Sequence, residues 1–164
     1  MKKYTAAFCS ILILLMLAGS NVVAQGGKEK PADYGIKSKK ALKMFQDGRQ
    51  KAQYRDYQGA IEHYKQAVGL EPGFAQAIFS TGASYYALHD YEKGWEYLQK
   101  ALPLFQPVKP MHYYYLAECA INLDKFQEAH DNYEAFFKSE PKVPRSIRQS
   151  AEKAQKTAAF ALEN

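Results

Sequence analysis

The chain has 164 residues, with 22 Lys or Arg against 17 Asp or Glu and a formal net charge of +5. That length suits one modest domain. Two cysteines are too few for a disulfide framework, so stability must come from packing.

The first 24 residues read as a segment apart from that domain. Lys2 and Lys3 give a basic start, Ile11 to Ala18 is uncharged and apolar, and Val22-Val23-Ala24 offers small residues before a cut. This is the layout of a secretory signal peptide cleaved after Ala24. A membrane span is the weaker reading, since only the middle of the uncharged stretch is strongly apolar. Cys9 lies before the apolar run, which disfavours a lipoprotein, and its loss leaves Cys119 alone and without a disulfide. Residues 25–37 form a flexible basic linker. Cleavage leaves 20 basic and 17 acidic residues, too small an excess in an exported chain to point to nucleic acid. Basic ends flank an acidic middle, which suits either an acidic partner or a plainly solvated surface.

From residue 38 the chain repeats itself. Gly48 and Gly82 stand 34 apart, as do Tyr57 and Tyr91, and Ala67 and Ala101. Ala60 falls opposite Gly94. A third copy follows at a spacing of 35, with Ala117, Phe126 and Ala129 in the matching places. The extra residue sits in the connection from Gln106 to Pro110. Pro72 recurs as Pro141. The predicted first helices run over 38–54, 74–88 and 110–123, and the second over 57–70, 91–104 and 126–139. A glycine inside a helix costs about 1 kcal/mol relative to Ala. Gly48, Gly82 and Gly94 therefore ask for a packing reason, which close helix contact would supply. Tyr57, Tyr91 and Phe126 would plug the gap between paired helices, and Pro72 and Pro141 would end them. Phe136 replaces the small residue found at Ala67 and Ala101. It predicts packing on a seventh helix over 143–163, which carries Ile147, Ala151, Ala154, Ala158 and Leu162 on one side.

A 34-residue period of helix pairs resembles the tetratricopeptide repeat family. The resemblance covers residues 38–141, with copies at about 41–74, 75–108 and 110–143. It implies an all-α fold, a right-handed α-α superhelix of three helix pairs, closed by a C-terminal capping helix over 143–164. It also implies a concave face that takes a partner segment. The positions carried over to that face are Phe45, Arg49 and Gln53; Phe79, Ala83, Tyr86 and Ala87; and Tyr114, Glu118, Ile121 and Asn122. Phe45, Phe79 and Tyr114 form an aromatic ladder for apolar anchors, with Arg49 and Glu118 as polar ends. The alternative is that these rings pack within the array. The family's carboxylate clamp for chaperone tails is not implied. Aromatics stand where its lysines would be, and Arg49, Ala83 and Glu118 stand at its asparagine positions.

No enzyme is expected. His63, His89, His112 and His130 make no metal pair at one-turn spacing, and no nucleophile elbow or phosphate loop is present. Glu62-His63 and His89-Asp90 read as solvated polar pairs. No cofactor or metal is implied. Two functional readings remain. One is a non-enzymatic protein-binding module of the periplasm or cell envelope. The other rests on a resemblance to the N-terminal repeat region of Bacteroidetes-type outer-membrane proteins that carry a β-propeller and an OmpA-type domain. On that reading the chain is a scaffold fragment of an envelope or secretion complex.

Overall fold

The computed structural model describes residues 35–139 and 142–163. Those residues form seven α-helices: α1 (Lys39–Gln53), α2 (Tyr57–Leu70), α3 (Ala75–Ala87), α4 (Tyr91–Ala101), α5 (Pro110–Asn122), α6 (Phe126–Lys138) and α7 (Arg145–Glu163). The signal-peptide reading, the linker up to residue 34 and Pro141 lie outside the described residues. None of the described helices is long and apolar enough to cross a membrane.

Each helix pair turns on the same local device. Arg55, His89 and Asp124 adopt φ values of 61°, 61° and 55°, so a left-handed residue ends every first helix. The next residue caps the second helix. Asp56 and Asp90 accept hydrogen bonds from the N–H groups of Gly59 and Lys93 at 3.0 and 3.2 Å, satisfying donors that a helix start leaves open. Lys125 holds the third such position with no side-chain cap. Ser38 caps α1 through Ala41.

The small residues mark where helices touch. A Cβ on Gly48 would lie 2.6 Å from the Tyr64 ring. One on Gly82 would lie 3.0 Å from the Gly94 carbonyl oxygen, and one on Gly94 3.0 Å from Cys119 Sγ. Ala60, Ala67, Ala101, Ala117 and Ala129 are fully buried. Pairs α1–α2, α3–α4 and α5–α6 thus pack face to face, and each second helix also packs on the following first helix. Tyr57, Tyr91 and Phe126 are half-buried at the starts of the second helices.

Two boundaries differ from expectation by more than one residue. The α-helix expected to reach Leu104 ends at Ala101 and tightens into a 3-10 turn, Leu102–Leu104, because Pro103 has no N–H to continue the ladder. The seventh helix starts at Arg145, after Pro144, rather than at residue 143. Phe136 is fully buried and clusters with Ala151 and Ala158 of α7, so it packs on the seventh helix, as expected. Leu162 is not part of that seam: it is 46% exposed, and Phe160 beside it 67%.

Candidate functional site

The face made by α1, α3 and α5 carries two adjoining cavities. The larger, of about 490 Å³, lies between α1, α3 and the connection leading into α5. The smaller, of about 320 Å³, continues along α3 towards Tyr86 and Tyr115. They share Ala52, Tyr64 and Ser80. Of the positions carried over to a concave face, Phe45, Arg49, Gln53 and Phe79 line the first cavity. Ala83, Tyr86 and Ala87 line the second. Tyr114, Glu118, Ile121 and Asn122 line neither.

The aromatic ladder is divided between groove and core. Phe45 is only 3% exposed, its ring centroid 4.8 Å from that of Phe74 and 5.6 Å from that of Tyr64, and it lines the cavity from beneath this packing. Phe79 is half-buried between Tyr115, Phe105 and His112. Tyr114 packs on Phe136, ring centroids 5.6 Å apart, so it belongs to the seam beneath α7.

Glu118 is not the open polar end that its position suggested. Tyr133 Oη donates to its Oε1 at 2.8 Å and Tyr86 Oη to its Oε2 at 3.0 Å. One carboxylate therefore ties α3, α5 and α6 together. Burial, reinforced by the negative charge of Glu118, pushes both phenols up and keeps them protonated donors. Cys119 beside it is fully buried, with its thiol pushed up to about 12 by desolvation; this is an inert packing sulfur.

The connection supplies groove residues that periodicity did not single out. Phe105 stacks on His112 with ring centroids 3.9 Å apart, and Phe105, Lys109 and His112 form one wall of the larger cavity. The Lys109 N–H donates to His112 Nδ1 at 3.1 Å, which fixes the imidazole proton on Nε2. Desolvation, with the Lys109 charge beside it, lowers the His112 pKa to about 4, so the ring is neutral near pH 7. Arg49 and Lys109 are exposed and are the two cations of the cavity wall, which contains no carboxylate. The one trace of this wall in the sequence is the residue that stretches the third spacing to 35.

The other histidines, His63, His89 and His130, line neither cavity. His89 Nδ1 lies 2.7 Å from Tyr91 Oη. His63 departs from the solvated position expected of it: it is half-buried, and its Nδ1 has no hydrogen-bond partner. Among the described residues no group of three or more His, Cys, Asp or Glu side chains is placed to hold a metal ion.

Comparison with known proteins supplies the family. No curated protein matches the sequence. Among solved structures, the first tetratricopeptide domain of Spaghetti, bound to the HSP90 peptide SRMEEVD, is 20% identical with a TM-score of 0.67, over 79% of this chain and 98% of that one. The Sgt2 domain from Aspergillus fumigatus is 18% identical with a TM-score of 0.66, over 77% and 84%. The type III secretion chaperone SycD of Yersinia enterocolitica, in complex with a peptide of the translocator YopD, is 13% identical with a TM-score of 0.65, over 75% and 95%. At these identities the likeness establishes the all-helical solenoid fold. A family model described as "Anaphase-promoting complex, cyclosome, subunit 3" matches residues 53–136, half of the chain. The chain belongs to that family and is a tetratricopeptide repeat protein.

Proposed function

We propose that this chain is a non-enzymatic interaction module, exported to the periplasm or outer membrane of a bacterial envelope, that holds an extended partner segment along α1, α3 and α5. The observation that carries this reading is the pair of adjoining cavities on that face, with Phe45, Tyr64 and Phe79 in their walls and hydrogen-bonding Gln53, Gln76 and Ser80 beside them. Aromatic walls take apolar anchors, while glutamine and serine side chains satisfy the peptide groups of an extended chain. The bound peptides of Spaghetti and SycD support the use of this fold for such a partner. Export rests on the basic start and apolar run of residues 1–24.

The test is affinity capture from envelope extract with residues 25–164 as bait, beside an Ala83→Arg variant. Arginine at the half-buried Ala83 fills the smaller cavity while leaving the helix seams alone. Wild type should retain a partner that the variant loses, with equal helicity by circular dichroism. Equal capture by both would remove the groove from the account. The mass of the envelope-fraction protein tests export, since cleavage after Ala24 removes 24 residues.

A second reading, a scaffold part of a larger outer-membrane or secretion assembly, is favoured by α7. Ala151 follows Ala117 by 34 residues and is fully buried, as Ala117 is. The helix thus stands like the first helix of a further repeat. A transcript that continues the reading frame into another domain would favour the scaffold over the free-standing module.

A further inference from the structure

The larger cavity is charged in one sense only. Arg49 reaches it from α1 and Lys109 from the connection, and no Asp or Glu lines it. Neither cation takes part in an ion pair among the described residues, whereas Lys51, Lys93, Lys100 and Lys138 each have a carboxylate. Between them His112 offers a third donor. Its Nδ1 is occupied by the Lys109 N–H, so its proton sits on Nε2. The ring lines the cavity.

We propose that this wall is an anion pocket that seats the side-chain carboxylate of an Asp or Glu within an extended protein segment, next to an apolar residue held by Phe79 and Phe105. This deepens the groove reading and rests on it. Charge complementarity selects the occupant: two cations and a neutral N–H donor match a carboxylate, and a cationic segment would meet uncompensated repulsion. Continuity selects a side chain over a chain end, because the cavity runs on into the second one through Ala52, Tyr64 and Ser80, so that the chain passes through. The pocket is a product of the stretched connection. It does not use the ladder positions at which the family's carboxylate clamp places its lysines. His112 is neutral near pH 7, so the pocket's positive charge comes from Arg49 and Lys109.

The probe is a labelled peptide, acetylated and amidated, with one glutamate between two phenylalanines, compared with its glutamine twin by fluorescence anisotropy. The glutamate peptide should bind the wild-type domain about tenfold tighter at low salt, a preference that shrinks as salt screens the charges. Arg49→Gln with Lys109→Gln, both at exposed positions, should erase the preference and bring the twins to equal affinity. A third peptide, with the acid only as its free C-terminus, should bind no better than the glutamine twin. Equal affinity of the twins for wild type would overturn the anion pocket while leaving the groove reading intact. Binding of neither twin would overturn it too, and capture by wild type but not Ala83→Arg would still uphold the groove. Tightest binding by the C-terminal acid would overturn the choice of a side chain.

Discussion

Gly82→Ala puts one methyl group where two helices meet. On an open helix this substitution stabilises by about 1 kcal/mol. Here the added Cβ would lie 2.7 Å from Leu98 Cγ and 3.0 Å from both the Gly94 carbonyl oxygen and the Leu98 backbone nitrogen. Leu98 is itself only 1% exposed, so its side chain has nowhere to move, and the other two atoms are backbone. Separating α3 from α4 is the remaining response, and overpacking of this kind costs about 1–3 kcal/mol. Set against the propensity gain, the net loss is up to about 2 kcal/mol, a fall in Tm of up to roughly 8 °C for a domain of this size. Gly69 is the internal control. It lies near the end of α2, is exposed, and has nothing within 4 Å of a new Cβ. Gly69→Ala should therefore hold or raise Tm by a few degrees. Thermal and urea melts followed by circular dichroism measure both. A Gly82→Ala protein stabilised as much as Gly69→Ala would refute close approach as the reason for glycine at that repeat position.

Four other perturbations have defined outcomes. Glu118→Leu leaves the Tyr86 and Tyr133 hydroxyls without their acceptor and should lower unfolding free energy by about 2–4 kcal/mol in a urea melt; Glu118→Gln, which keeps an acceptor, should cost less. Lys125→Asp gives α6 the side-chain cap that α2 and α4 already have, and should add about 1 kcal/mol, read as a rise in Tm. His112 is neutral in the fold with its pKa lowered from 6.5 to about 4, so its contribution is present above pH 6.5 and is lost as pH falls towards 4. That contribution is at most about 3 kcal/mol; the stability difference between wild type and His112→Gln should shrink over that window, and a constant difference would contradict it. Removing residues 143–164 uncovers Phe136, Phe137 and the seam around Tyr133, and should give aggregation by light scattering; a soluble monomer would show that α7 covers nothing essential.

Helix order and pairing were legible because each rests on residue type at a fixed spacing. Small residues return where backbones touch, and Gly48, Gly82 and Ala117 mark three equivalent contacts. The turns were legible in position but not in mechanism, since Arg55, His89 and Asp124 share a left-handed conformation without sharing a side chain. The groove was legible in half. The family resemblance carried over Arg49, Gln53, Phe79 and Ala83, which α1 and α3 present side by side. Periodicity could not find Phe105, Lys109 and His112, because a connection has no period and its path depends on how Phe105 stacks on His112. Nor could it show that Glu118 would be consumed by Tyr86 and Tyr133. Those hydroxyls arrive from residues 32 and 15 positions away, and only the packing of three helices brings them together.

The central claim is that the partner lies along α1, α3 and α5, and a site-specific photo-crosslinker tests it most directly. Placed at Gln53, which lines the larger cavity, it should join the domain to the partner captured from envelope extract. Placed at Glu62, exposed on α2 and outside both cavities, it should join nothing. Crosslinking from Glu62 and none from Gln53 would place the partner on the outer helices and contradict the account.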